Sequence, residues 1–189
     1  MDRVIVLLTG GRGVGKTTVC RETVALAQAR GYTCGGLLTL TRADGGRDVV
    51  DVGAGVTRRL SLPPYSDGSG TPFEVTQGRF LFAPDVLAWG SQVLAQSVRC
   101  HLLVVDELGP LEIERGQGWA RALDVLPEQE YALALVVVRT ELVDRVERRL
   151  HALSPTVVPI TRQNRDGLPR TLLARLESLQ AAQSLLERP

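Results

Sequence analysis

Residues 4–18 read VIVLLTGGRGVGKTT, from Val4 to Thr18. Val4 to Leu8 is a short apolar run of the length of a buried strand, and a helical pattern follows from about Gly15 to Arg30. Between them, Gly10-Gly11-Arg12-Gly13-Val14-Gly15-Lys16-Thr17 satisfies the phosphate-loop pattern G-x-x-x-x-G-K-[ST]. Glycines let such a loop curl so that successive N–H groups point at phosphate oxygens, and the helix that follows adds its positive end. Lys16 is the only lysine among 22 basic residues. A compact ammonium has been kept where one must reach the β- and γ-phosphates, a task for which the wide arginine fork is no substitute. Gly10 through Thr17, with Thr18 beside them, are the candidate residues for binding a nucleoside polyphosphate, and Lys16 is also a candidate catalytic group.

Strand and helix signals alternate beyond this stretch. Gly36–Thr41 and Asp48–Val52 read as strands of a hairpin around Asp44-Gly45-Gly46. Pro63–Pro72 is a loop rich in Pro, Gly and Ser, long enough to act as a lid. Pro84-Asp85 opens a helix, His101–Val105 is a second core strand, and Gln117–Leu126 reads as helix. Tyr131–Val138 is a third strand, Glu141–Leu153 an amphipathic helix, Val157–Ile160 a fourth strand and Leu168–Leu186 a last helix. The expected fold is α/β: a mainly parallel sheet covered by helices on both faces, with the hairpin inserted at its edge. With 189 residues, one domain spanning 1–189 is expected.

Composition narrows the partners. A net charge of +1 is not the basic footprint of a nucleic-acid binder, and two Trp, three Tyr and three Phe leave little for base stacking. No apolar run approaches a membrane span, and Met1-Asp2-Arg3 leads straight into the first strand. Cys20, Cys34 and Cys100 form no C-x-x-C pair and read as reduced core thiols, as in the cytoplasm. The expected partner is a nucleoside triphosphate substrate alone, bound by a cytoplasmic monomer.

The second chemical element is His101-Leu102-Leu103-Val104-Val105-Asp106-Glu107-Leu108-Gly109. A strand that ends in Asp delivers a carboxylate to the carboxyl edge of the sheet, beside the phosphate loop. Asp106, with the Thr17 hydroxyl, is the candidate holder of Mg²⁺, the expected cofactor. Glu107 is placed to orient or deprotonate the attacking water, and Gly109 to offer its N–H to the γ-phosphate.

With Thr9–Thr18, Gly35-Gly36, Gly78-Arg79-Phe80, Asp106 to Glu112 and Val158 to Asp166 (VPITRQNRD), the chain resembles the small nucleoside-triphosphatase family first described from thermophiles. The I-T-x-x-N-R-D string from Ile160 to Asp166 is the discriminating part, and the resemblance covers nearly the whole length. It implies Mg²⁺-dependent hydrolysis of NTPs to NDP and phosphate, slow and tolerant of the base. Arg12 stands where the family often carries proline, and Gly118-Trp119 where Phe is usual; neither change removes a catalytic group.

Arg139 ends the third core strand and is a candidate for stabilising charge on the transferring phosphoryl group, or a solvated strand end. Arg12 and Arg115 are weaker candidates. Asn164 either hydrogen-bonds the base or ribose, or caps the last helix. Trp119, in register with Ala122, Leu123 and Leu126, reads as core. Two other functions fit the same motifs: a nucleotide or small-molecule kinase using Arg58-Arg59 and the 63–72 loop, and a GTP-binding adaptor in cofactor assembly.

Overall fold

The computed structural model describes residues 3–63, 73, 75–78, 80–97 and 99–186. The expected lid, apart from Pro63, and Arg79 lie outside the described residues. The strands are β1 (Val4–Thr9), β2 (Cys34–Thr41), β3 (Arg47–Asp51), β4 (Thr57–Ser61), β5 (Val75–Gln77), β6 (Phe80–Phe82), β7 (Arg99–Leu108), β8 (Glu130–Val138) and β9 (Thr156–Pro159). They form one sheet in the order β5-β6-β4-β3-β2-β7-β8-β1-β9. The five strands from β2 to β9 in that order run parallel. The other four pair antiparallel.

Alternation along β1 builds both faces. Ile5 and Leu7 join the core under α2 (Pro84–Gln96) and α5 (Val143–Arg149). Val6 and Leu8 join the core under α1 (Lys16–Ala29) and α6 (Leu168–Leu186). A central strand buried on both faces reads as an unbroken apolar run, as Val4–Leu8 and Tyr131–Val138 do. The chain therefore has the α/β, helix-covered architecture expected from its sequence.

Three expectations need correction. The edge insertion is larger than one hairpin: β2 belongs to the parallel sheet, and β3, β4, β6 and β5 extend it. The sequence hides this because β4 opens Thr-Arg-Arg and β5 and β6 have three residues each, too short to show a period. The helix expected over Gln117–Leu126 shrinks to α4 (Ala122–Val125), since Gly116 and Gly118 take φ of 63° and 57° and interrupt it. Glu141–Leu153 is α5 flanked by 3₁₀ turns at Thr140–Leu142 and His151–Leu153. Its apolar stripe still packs, with Leu142, Val146 and Leu150 buried. Trp119 is buried with Ala122, Leu123 and Leu126, as expected of a core residue.

Candidate active site

The carboxyl ends of β1, β7, β8 and β9 lie side by side in the parallel sheet. Chain order therefore brings Gly10, Asp106, Arg139 and Ile160 to one edge. The loop after β1 is shaped by glycine. Gly10 has φ 144°, and a Cβ there would sit 2.6 Å from the Ile160 carbonyl oxygen. Gly15 has φ 110° at the N-cap of α1, where no side chain caps the helix. Lys16 closes the loop from within: its Nζ donates to the carbonyl oxygens of Gly10 (2.7 Å) and Gly11 (3.0 Å). Burial lowers its pKa, opposed by the carboxylates of Glu107 and Asp106. Thr17 is half-buried, while Gly11, Arg12, Gly13 and Thr18 face solvent.

Asp106 and Glu107 are consecutive, and a regular strand would send them to opposite faces. The ladder breaks at this point. Asp106 pairs with Val137 and Leu108 with Val138, so Glu107 is an extra residue in a bulge. A bulge re-aims a side chain, and this one lets both carboxylates serve one rim. Asp106 is 1% exposed and is held by β2: Thr39 N–H donates to its Oδ2 at 3.1 Å, and Thr39 Oγ1 donates to its carbonyl at 2.7 Å. Burial pushes its carboxyl up to about 7, against the pull of the Thr39 N–H and the Thr17 hydroxyl that bond to it. A buried carboxylate joined to a threonine hydroxyl is a pair of hard oxygen donors. It fits Mg²⁺, which takes one or two protein oxygens and fills its shell with water and phosphate. Among the described residues no group of three or more His, Cys, Asp or Glu is arranged to hold a metal ion.

Glu107 is held by two arginines. Arg47 Nη1 donates to its Oε2, and Arg139 Nη2 lies 3.5 Å from its Oε1. Burial alone would raise the Glu107 carboxyl, but Arg47, Arg139 and Lys16 outweigh it and hold it below the usual range. Arg47 comes from the extension. β2 runs with β7, so its hairpin turns back at the same edge and delivers the first residue of β3 to the site. Arg47 also sits 4.8 Å over the Phe80 ring.

Two candidate residues are otherwise occupied. Gly109 N–H is donated to Glu112 Oε2 at 2.9 Å, so it is not free for a phosphate. Gly109 is instead the N-cap of a short turn, α3 (Pro110–Ile113), with Glu112 reaching back in a capping box. Both ends of the Asn164 amide are engaged inside its own loop. Its Oδ1 accepts from Thr161 N–H at 2.8 Å and its Nδ2 donates to the Pro159 carbonyl at 2.9 Å. Asn164 thus closes a turn, and its side chain caps no helix. The neighbour that approaches the phosphate loop is Arg165, whose Cδ lies 3.3 Å from where a Gly15 Cβ would be. Arg165 Nε is steadied by Asp166 at 3.1 Å.

Three other arginines make contacts within the fold. Arg115 donates to the Thr76 carbonyl, Arg58 stacks on Trp89 at 4.5 Å, and Arg59 pairs with Asp44 at 2.9 Å. Arg47, Glu112 and Thr39 are the site residues that sequence reasoning missed, while Arg165 lay within the Asn164-Arg165-Asp166 string read as facing the base. For Glu112 a signal was present, since Gly-Pro-x-Glu over residues 109–112 has capping-box spacing. Arg47 was findable from the hairpin, once β2 is taken as parallel to the phosphate-loop strands.

Known proteins resemble this chain over almost the full length. The nucleoside-triphosphatase THEP1 of Methanopyrus kandleri is 30% identical over 178 residues, 89% of this chain and 92% of that protein. That of Thermofilum pendens is 29% identical, over 93% of this chain and 96% of the relative. Among solved structures, a human cancer-related nucleoside triphosphatase superposes with a TM-score of 0.71 at 22% identity, over 93% of this chain and 98% of that one. THEP1 from Aquifex aeolicus gives 0.62 at 17%, over 92% and 99%. These two likenesses are of fold. The family model described as NTPase matches residues 5–173, from the first strand through the phosphate loop and the acidic pair to the last helix. This chain belongs to the NTPase family.

Proposed function

We propose that this protein hydrolyses nucleoside 5′-triphosphates to diphosphate and phosphate, requires Mg²⁺, and discriminates little among bases. The observation that carries the reading is the convergence of Lys16, Thr17, Asp106 and Glu107 on one sheet edge, with the Thr17 hydroxyl near enough to pull on the Asp106 carboxyl. Lys16 leaves its loop carbonyls for the β/γ-bridging region, where negative charge grows during cleavage. Asp106 and Thr17 hold Mg²⁺, which neutralises charge on the β- and γ-phosphates when bound. Glu107 takes the proton of the attacking water. Its two arginine partners restrain it as a base, consistent with slow turnover. Arg139, and Arg47 with it, can turn from Glu107 to the γ-phosphoryl oxygens.

Weak base selection rests on what the rim offers. A site rejects the wrong base strongly only when it holds donors and acceptors matched to one base edge. Here Asn164 is used internally, and Arg165 presents a planar cation suited to stacking under any base. The same reading takes the protein as a cytoplasmic monomer acting on free nucleotide. Its free, buried thiols Cys20 and Cys34 fit a reducing compartment, and among the described residues no helix is long and apolar enough to cross a membrane. The test is phosphate release from ATP, GTP, CTP and UTP with and without Mg²⁺. Release that ignores Mg²⁺, or none with any nucleotide, would overturn it.

A further inference from the structure

Water needs only polar partners to attack a phosphoryl group, yet the space beside Glu107 is mostly apolar. A cavity of about 40 Å³ lies there, between the antiparallel extension and α2. Leu60 and Phe82 wall it from the extension, Leu87 from α2, and Leu111 from the turn after β7. Glu107, Arg47 and Arg139 form its polar end. The volume corresponds to roughly three water molecules.

We propose that this cavity is an acceptor site for a small neutral alcohol, and that the enzyme transfers the γ-phosphoryl group to it in competition with water. The inference rests on Glu107 being the proton acceptor of the hydrolytic reading. The alkyl part fills the apolar walls and the hydroxyl faces Glu107. The hydroxyl oxygen bonds to the γ-phosphorus, and the bond from that phosphorus to the β–γ bridging oxygen breaks. The bridging oxygen leaves with the electron pair on the NDP, the hydroxyl proton passes to the Glu107 carboxylate, and the product is a phosphate monoester. Nothing beyond the nucleotide and the alcohol is consumed.

Charge selects the acceptor class. A nucleoside monophosphate or sugar phosphate would need cations of its own. Arg47 and Arg139, when they turn from Glu107, are taken by the γ-phosphoryl oxygens, and Glu112 adds a second carboxyl to the lining. Arg58 and Arg59 of the same extension are engaged by Trp89 and Asp44, so among the described residues the cavity holds no further cation for an anionic acceptor. The cavity therefore fits an uncharged, apolar-tailed hydroxyl compound and disfavours a nucleotide acceptor.

Methanol, ethanol, 1-propanol, 1-butanol and 1-hexanol are supplied at equal low concentration with Mg·ATP, and alkyl phosphate and inorganic phosphate are quantified by ³¹P NMR. The ester-to-phosphate ratio should climb roughly fourfold per methylene, the value of burying one CH₂, and level off once the cavity is full. Leu87→Phe, which fills the cavity, should flatten the climb. Leu87→Ala, which enlarges it, should extend the climb to longer alcohols. Because the readout is a ratio, a general loss of activity cancels, and if one variant fails to fold the chain-length series on the natural protein decides. A ratio independent of chain length, or identical in both variants, would overturn the acceptor site. Failure of the underlying reading looks different: no phosphate is released in plain buffer, or Glu107→Gln releases it as fast as the natural protein.

Discussion

Two loops border the nucleotide side of the sheet, and they are built in opposite ways. In the loop after β1, the glycine backbone is arranged around space, and its lysine is tied only to nearby carbonyls that it can leave. In the loop after β9, Thr161 and Asn164 exchange hydrogen bonds with each other, and Asn164 also bonds Pro159. The first loop holds donors in reserve for a ligand. The second has committed Thr161 and Asn164 to its own shape. Recognition should therefore be concentrated at the phosphates and thin at the base.

The severest way to break that contrast is to remove the reserve. Lys16→Ala should lower turnover by about a hundredfold to a thousandfold or more and weaken triphosphate binding, read by phosphate release and calorimetry. Lys16→Arg should fail too, because a planar fork does not fit a point-charge position. Near-normal rates in either variant would refute the phosphate-loop assignment. Next come the carboxylates. Glu107→Gln should keep nucleotide affinity while slowing hydrolysis by about two to four orders of magnitude. Asp106→Ala should lose affinity and metal dependence together, and the reverse pattern would exchange their roles.

Changes at the second loop should be smaller. kcat/KM for the four ribonucleotides should fall within about tenfold, a spread of roughly 1.4 kcal/mol. Arg165→Ala should raise KM for all four by a similar factor, about twofold to thirtyfold if a stacked cation is lost. Asn164→Ala should lower thermal stability, by about 1 kcal/mol for the lost turn, and leave the ratios among bases unchanged. A base preference that moves with Asn164 would show a reader where a staple is described.

The mildest effect lies in pH. Burial lifts the Glu112 carboxyl to about 7, although the N–H groups of Gly109, Glu112 and Trp119 pull it down. The folded protein keeps this proton to higher pH than the unfolded chain, whose value is near 4.5. Its contribution to stability is complete below that value and is lost as pH rises through about 7. Denaturant midpoints should decline over that window, and Glu112→Gln should make the decline shallower. An unchanged slope would mean the carboxyl titrates normally.

The parallel half of the fold was legible because its central strands β1, β7 and β8 are buried on both faces and so write continuous apolar runs. Beyond β3 the antiparallel half was not, because a strand such as Thr57–Ser61, with its first three residues exposed and its last two buried, shows no alternation and is stabilised by pairing that no local pattern records. The site divides along the same line. Gly10 to Thr18 and the acidic pair announce themselves through covalent spacing. Arg47 is 60 residues from Glu107 in sequence and reaches it only through a hairpin returning to the sheet edge. Gly109 and Asn164 show what a motif leaves unwritten: each has the right chemistry for a ligand and is bonded to a neighbouring residue here.

A chain with one lysine also carries its own reporter. Amine-acylating reagents have a single side-chain target here, and it stands where the terminal phosphates are expected. Partial burial lowers its pKa, so more of it is in the nucleophilic free-amine form at a given pH than of an ordinary lysine. Mass spectrometry of the acylated peptide around Lys16, with and without nucleotide, would then measure occupancy of the loop at that one residue, without any engineered probe.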